Sequence, residues 1–99
     1  MKSNIELNGT SMKIALEGRL DTLTAPDLEA ELGNYAISEM TEIVLDLEKL
    51  EYISSAGLRV LLSAQKTMNK QGAMKVVHVN ETIMEIFEVT GFSDILTIE

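Results

Sequence analysis

Residues 43–62, IVLDLEKLEYISSAGLRVLL, contain the change from strand to helix on which the predicted fold depends. The run Ile43–Leu47 is short and almost continuously apolar, which is typical of strands buried on both faces of a sheet. Residues 48–53 are predicted to form a turn that leads to Ser54 and Ser55. After these serines the apolar residues change to helical spacing, which predicts an amphipathic helix. Its apolar face is formed by Leu58, Leu61, Leu62 and Met68.

The segment before this stretch predicts a β-hairpin followed by a helix. Apolar and polar residues alternate through residues 5–17, with the turn signal NGT at residues 8–10 between the two runs. Gly18 is predicted to end the second strand. The helix is predicted to begin at TAPD, residues 24–27, because proline in a first turn loses no hydrogen bond and the Thr24 hydroxyl can accept one from an early backbone N–H. Its apolar face is formed by Ala25, Leu28, Leu32 and Tyr35.

The segment after residue 62 predicts two more strands and one more helix. Gly72 is predicted to close the preceding helix as a left-handed cap, and residues 74–79 are predicted to form a strand. Asn80 then caps a shorter helix that stops at Gly91, and residues 95–98 form the last strand. The order ββαβαβαβ indicates an α/β fold with a mixed sheet of about five strands and three main α-helices, since strands that alternate with helices are usually parallel. All 99 residues are interpreted as one domain with one core.

Composition excludes several classes of protein. The chain has no cysteine, so disulfides, thiolate metal sites and cysteine nucleophiles are excluded, and this absence fits a reducing cytoplasm. No apolar run approaches the ~20 residues of a membrane span, and the amino terminus lacks a signal-peptide pattern. A net charge of −8 disfavours nucleic acid and anionic membranes, because both attract cationic proteins. We therefore expect a soluble cytoplasmic protein that neither binds nucleic acid nor inserts into a membrane; the sequence specifies no oligomeric state.

Ser54 and Ser55 lie where a loop enters a helix, and two interpretations of them are open. The first turn of a helix offers unpaired N–H groups and the positive end of the helix dipole, so a phosphate there would find donors. The small residues Ala56 and Gly57 allow close approach. Phosphorylation would add about −1.5 to −2 charges at one surface point and would oppose an acidic or apolar partner. The alternative is that a serine serves only as a helix cap, a contribution of about 1 kcal/mol.

Several blocks of the chain resemble the STAS domains of anti-sigma factor antagonists. Residues 18–21 (GRLD), with the helix start that follows them, are similar to the G-x-L-D element of that family. Ile43–Leu47 is similar to its central V-L-D-L strand, and residues 52–62 (YISSAGLRVLL) resemble the D-S-S-G-L loop and helix. Residues 72–79 and 87–98 match the closing strand, helix and strand. These blocks cover almost the whole chain in the family's order.

The resemblance implies a partner-switching function. An unphosphorylated STAS antagonist binds an anti-sigma factor that is also a serine kinase of the GHKL type, and this binding frees a sigma factor for transcription. The kinase inactivates the antagonist by phosphorylating one serine, and a PP2C-type phosphatase restores it. The family's G-L pair matches Gly57 and Leu58, which assigns the modified serine to Ser55.

The resemblance also assigns the partner-binding residues. Asp21 matches a family aspartate near the binding face, and a turn or cap aspartate is the open alternative. Many antagonists have aspartate at the position of Ser54 and serine or threonine at that of Ala56. Ser54 thus supplies a second hydroxyl that competes with Ser55 for phosphorylation, and Ser55 is favoured as the phosphorylated residue. The implied binding set is Asp21, Ser54, Ser55 and Gly57, with Leu58 and Arg59 near its rim.

Two other functions stay open at this stage. A stand-alone STAS protein can act as a scaffold or accessory subunit of a stress-signalling complex or a transporter, without a phosphorylation switch. A small hydrolase using Ser55 would need a G-x-S-x-G motif, and Ile53 occupies the position of its first glycine. His78, the single histidine, is interpreted as a packed or edge residue of an apolar strand rather than the partner of a catalytic serine. No phosphate loop or metal-ligand spacing occurs, so we predict no enzyme activity, cofactor or metal site.

Overall fold

A computed structural model describes residues 1–34 and 39–99 of the chain. Its elements are β1 (Lys2–Asn8), β2 (Ser11–Leu20), α1 (Ala25–Asn34), β3 (Glu42–Ile53), α2 (Ser55–Asn69), β4 (Ala73–Val77), α3 (Glu81–Thr90) and β5 (Thr97–Ile98), with a 3₁₀ turn at Phe92–Asp94 before β5. The five strands form one sheet in the order β1-β2-β3-β4-β5, in which β1 is antiparallel to β2 and the other neighbours are parallel. The predicted α/β fold, mixed sheet and order of elements are confirmed. Tyr35, predicted on the apolar face of α1, lies outside the described residues.

The described helices pack on one face of the sheet, where alternate strand residues are buried. In β3 the half-buried residues Val44 and Asp46 alternate with buried leucine and isoleucine. The prediction that this strand is buried on both faces is therefore wrong. Helices α1, α2 and α3 contribute to the core on the face of Ile43 and Leu45, and the face of Val44 and Asp46 is only half-buried. No helix within the described ranges is long and apolar enough to cross a membrane. The core includes Met12, Ile14, Leu16, Leu28, Ile43, Leu45, Leu61, Met68, Met74, Ile83 and Phe87.

β3 is longer than predicted because it continues beyond its pairing with β4. Pairing with β4 ends at Asp46, whereas pairing with β2 continues until Leu20 meets Ile53. The predicted turn over residues 48–53 is therefore wrong. The charged residues of this segment are exposed, while the burial of Leu50 and Ile53 holds the strand against the core.

β2 also continues past its predicted end at Gly18. The register between β2 and β3 shifts between Ala15 and Glu17, and again between Gly18 and Arg19. Such irregularities bend a strand without ending it. The prediction that Gly18 ends β2 is wrong, and the strand runs on to Leu20.

Gly72 is needed between α2 and β4 for a reason other than the predicted one. α2 ends at Asn69 with Lys70 as a right-handed cap, so the predicted left-handed cap at Gly72 is wrong. A Cβ atom at Gly72 would lie 2.0 Å from the carbonyl oxygen of Thr41, so glycine allows two backbone segments to approach each other closely. α3, by contrast, ends at Gly91 as predicted, with the left-handed φ of 82° that favours glycine.

We expect Gly72→Ala to lower the free energy of unfolding by about 1–3 kcal/mol, because the added methyl group must displace the Thr41 carbonyl. Gly33→Ala is the matched control, since no described atom lies within 4 Å of a Cβ atom at that position of α1. In the control, alanine should stabilise the helix by roughly 0.5–1 kcal/mol. Urea unfolding followed by circular dichroism measures both effects. Equal changes in the two variants would contradict this account of Gly72.

Candidate functional site

The carboxyl ends of β2 and β3 bring two loops together. The strands are parallel and Leu20 pairs with Ile53, so the chain leaves both strands at the same edge of the sheet. The N–H of Ser54 donates to the carbonyl oxygen of Leu20 at 2.8 Å, which extends the pairing by one residue. We call residues 21–24 and 54–59 the two-loop surface. These two segments contain every residue that the sequence analysis assigned to partner binding.

The two serines have different structural roles. Ser54 has an extended backbone (φ −93°, ψ 174°), and its Oγ accepts a hydrogen bond from the N–H of Gly57 at 3.3 Å. This is the arrangement of a helix N-cap. Ser55 is the first residue of α2; it is exposed, and within the described ranges its hydroxyl has no hydrogen-bond partner. The capping interpretation thus applies to Ser54, while Ser55 presents a free hydroxyl at the positive end of the helix dipole.

The first turn of α2 packs directly on the end of β2 at Gly57. A Cβ atom at Gly57 would lie 2.7 Å from Cγ of Leu20 and 3.0 Å from its carbonyl oxygen, so a side chain would force the helix away. Leu58 is only 5% exposed, and its predicted place near the rim of a binding surface is wrong. Ser55 and Arg59 are four residues apart and share the exposed side of the helix. Gly57 and Leu58 therefore support the two-loop surface from beneath.

Asp21 organises the first of the two loops. Its Oδ1 accepts hydrogen bonds from the N–H of Leu23 at 3.0 Å and from the N–H of Thr24 at 3.1 Å. The Thr24 hydroxyl accepts from the N–H of Asp21 and donates to the carbonyl oxygen of Arg19, both at 2.8 Å. It therefore faces back into the loop, and its predicted role as the cap of α1 is wrong. Asp21 has the role that the turn interpretation gave it, and it also belongs to the two-loop surface.

Charged and aromatic side chains adjoin Asp21. Nε of Arg19 lies 3.6 Å from Oδ2 of Asp21, and the guanidinium of Arg19 lies 4.4 Å from the centre of the Tyr52 ring. Desolvation acts to raise the pKa of Asp21, but the hydrogen bonds from the N–H groups of Thr24 and Leu23 and the charge of Arg19 together hold the pKa below its ordinary value. Asp21 is therefore ionised at neutral pH.

A shallow groove of about 340 Å³ connects the two loops between the first turns of α1 and α2. Thr22 of the loop 21–24 and Arg59 of α2 both line it, which makes the two-loop surface continuous. Most of the remaining lining is small or apolar. The groove is lined by Thr22, Ala25, Pro26, Glu29, Ala56, Arg59 and Val60.

His78 contacts an aspartate on β3. It follows β4 with a left-handed φ of 55°, and its side chain is 61% exposed, so its predicted place as a packed or edge residue of the strand is wrong. Its Nδ1 lies 3.1 Å from Oδ2 of Asp46, whose Oδ1 accepts from the N–H of Glu48 at 3.1 Å. Partial burial acts to raise the pKa of Asp46, but that backbone hydrogen bond, the contact with His78 and the charge of Lys13 hold it below its ordinary value.

The same three side chains form a cluster that the sequence did not reveal. Asp46, Glu48 and His78 each offer one potential ligand atom, and these atoms lie within 4.8 Å of one another. Histidine and carboxylate are ligands that zinc accepts, but exposed acidic groups commonly cluster in this way without an ion. The hydrogen bond between Nδ1 of His78 and Oδ2 of Asp46 already accounts for the contact between these two side chains.

Comparison with known families identifies the family to which the chain belongs. The family model of the STAS domain matches residues 2–99. The chain belongs to the STAS domain family. BtrV of Bordetella bronchiseptica, provisionally named an anti-sigma factor antagonist, is 38% identical to this STAS domain over 84 residues, which cover 84% of this chain and 72% of BtrV. The anti-sigma-B factor antagonist of Listeria monocytogenes is 31% identical over 87 residues, which cover 87% of this chain and 76% of the relative.

Solved structures have the same fold as this STAS domain. Unphosphorylated SpoIIAA, described as an anti-sigma factor antagonist, superimposes with a TM-score of 0.77 at 19% identity, over 99% of this chain and 87% of SpoIIAA. Phosphorylated SpoIIAA of Bacillus superimposes with a TM-score of 0.77 at 20% identity, over 99% of this chain and 91% of SpoIIAA. At such identities the likeness concerns the fold alone, and it confirms the predicted STAS fold.

The sequence analysis also missed Leu23, the large apolar residue with the highest exposed fraction among the described residues, 85%. The available signal was its phase, because Leu23 precedes α1 and does not continue the buried spacing of Ala25, Leu28 and Leu32. An apolar residue out of phase with a neighbouring helix face is a candidate for exposure.

We expect Ser54→Ala to lower the free energy of unfolding of this STAS domain by about 1 kcal/mol, because it removes the oxygen that accepts from the N–H of Gly57. Ser55→Ala removes an exposed hydroxyl without a partner and should change the free energy of unfolding by less than about 0.5 kcal/mol. Urea unfolding at neutral pH measures both. A larger loss for Ser55→Ala than for Ser54→Ala would contradict the roles given to the two serines.

Proposed function

We propose that this chain is an anti-sigma factor antagonist that is switched by phosphorylation of Ser55. The observation that carries the proposal is the free, exposed hydroxyl of Ser55 on the first turn of α2, at the same edge of the sheet as Asp21 and its loop. The names of its STAS relatives support the same role. In its unphosphorylated form the chain binds an anti-sigma factor that is also a GHKL-type serine kinase, and this binding releases a sigma factor.

The position of Ser55 suits a switch that acts on binding and not on folding. A phosphate adds about −1.5 to −2 charges, and the N–H groups and dipole of a helix N-terminus tolerate an anion there. A partner surface that fits the neutral hydroxyl has no donors or dipole that would compensate the charge of the phosphate. An opposed or buried phosphate without a cationic partner costs several kcal/mol. Phosphorylation therefore weakens the complex while the STAS domain stays folded.

The proposed binding face is the two-loop surface. Asp21, Ser55 and Arg59 supply its polar contacts, and Ser54 holds the helix start in place through its cap. Gly57 and Leu58 act beneath this face, because one carries no side chain and the other is buried.

The proposal also covers how the phosphate is removed, where the chain acts and whether it catalyses a reaction. A PP2C-type phosphatase restores the unphosphorylated form. The chain acts in the cytoplasm, where sigma factors direct transcription, and its net charge of −8 agrees with a protein partner rather than with nucleic acid or a membrane. The chain acts as a regulator and not as a serine hydrolase, since Nδ1 of His78 contacts Asp46 and not Ser55.

The test uses each GHKL-type anti-sigma kinase of the same genome, purified separately, with this chain and three variants. We expect one kinase to bind the unmodified chain and to phosphorylate it at one site in the presence of ATP. Ser55→Ala should bind but accept no phosphate, because it keeps a neutral side chain and lacks the hydroxyl. Ser55→Asp should bind at least about tenfold more weakly, because it places a charge at the contact. Ser54→Ala is the matched control and should still be phosphorylated.

Isothermal titration calorimetry measures binding, and intact-mass spectrometry measures phosphorylation. Phosphorylation of Ser55→Ala, or binding of Ser55→Asp with unchanged affinity, would contradict the switch. A chain that binds no anti-sigma kinase would favour the role of a stand-alone scaffold or accessory subunit.

A further inference from the structure

Leu23 is 85% exposed at the tip of the loop between β2 and α1. Single exposed leucines are common on protein surfaces and usually need no explanation. What distinguishes Leu23 is the rigidity of the backbone that carries it and its place in the two-loop surface.

The backbone on both sides of Leu23 is fixed by hydrogen bonds. The N–H of Leu23 and the N–H of Thr24 both donate to Oδ1 of Asp21. The N–H of Ala25 donates to the carbonyl oxygen of Asp21 at 2.8 Å, and the Thr24 hydroxyl bridges to Arg19. The loop therefore has little conformational freedom left to lose when a partner binds, and such preorganisation favours affinity.

The loop that carries Leu23 adjoins the start of α2, because β2 and β3 end side by side. Its neighbour Thr22 lines the same groove as Ala56, in the first turn of α2, and Arg59, just after that turn. Beside Glu29 and Arg59, the groove is lined by Ala25, Pro26 and Val60, which offer a partner apolar contacts. The groove thus joins the loop that carries Leu23 to the first turn of α2, which carries Ser55.

We propose that Leu23 is an apolar anchor that the anti-sigma kinase receives in an apolar pocket next to the part of its surface that contacts Ser55. The proposal rests on the proposed function. Leu23 belongs to the same two-loop surface as Ser55, so we assign both to the same partner, the anti-sigma kinase. The net charge of −8 fits a partner whose surface around that pocket is basic. Leu23 then contributes affinity and partner choice, whereas Ser55 contributes the switch.

The test measures the affinity of the anti-sigma kinase for Leu23→Ala, Leu23→Met and a control. We expect Leu23→Ala to weaken binding about tenfold or more, because three buried carbon atoms of contact are lost. Leu23→Met should bind within about threefold of the natural chain, since it conserves volume and apolar character. Because Leu23 is exposed, both variants should unfold at the same temperature as the natural chain.

Val89→Ala is the matched control, because Val89 is 81% exposed and lies in the last turn of α3. α3 leads from the carboxyl end of β4 back to the amino end of the parallel strand β5, so its last turn points away from the two-loop surface. We expect no change of affinity in this variant. In the kinase assay, Leu23→Ala should raise KM and leave kcat unchanged, because Leu23 supplies binding and does not touch the reacting hydroxyl.

The outcomes separate this inference from the proposed function. If the natural chain binds no anti-sigma kinase, the proposed function fails and the anchor fails with it. If the natural chain binds and Leu23→Ala binds equally well, or if Val89→Ala loses as much affinity, only the anchor is overturned. A dimer of the chain that sedimentation detects and Leu23→Ala abolishes, with kinase affinity unchanged, would also overturn it and assign Leu23 to a second copy.

Discussion

The close contact between the backbone of Gly57 and Leu20 is the constraint on which the arrangement of this surface depends. β2 and β3 stay paired until Leu20 meets Ile53, and the hydrogen bond from Ser54 carries the pairing into the next segment. Because residue 57 has no side chain, the first turn of α2 rests directly on this strand end. Two segments that are distant in the sequence, the loop 21–24 and the start of α2, therefore form one continuous surface.

This constraint also separates two adjacent hydroxyl groups. The oxygen of Ser54 turns inward to cap α2, and Ser55 turns outward one residue later. A phosphate on Ser54 would disturb the cap and thereby the fold, whereas a phosphate on Ser55 meets only the helix N-terminus and solvent. The first loop adds a fixed carboxylate at Asp21 and a fixed apolar side chain at Leu23. A carboxylate, an exposed apolar side chain and an exposed hydroxyl thus lie on one surface.

The order of strands and helices could be predicted because periodicity reports burial directly, as in the alternation of β2 and the helical spacing after Leu58. The extension of β3 over residues 48–53 could not be predicted, because its exposed charges resemble those of a turn. The pairing with β2 and the burial of Leu50 and Ile53 keep it extended. The roles of Gly72 and Leu58 depend on contacts with Thr41 and the sheet, which local sequence does not encode. The serine segment was recognised from the sequence, but assigning the cap to Ser54 required the geometry.

The central claim is that this fold leaves Ser55, and not Ser54, available for reversible phosphorylation. Phosphopeptide mass spectrometry of the protein isolated from its own cells, sampled during growth and under stress, tests the claim most directly. The account predicts a single phosphate on Ser55 whose occupancy changes between the two conditions. A phosphate on Ser54 alone, or none on either serine in any condition, would contradict it.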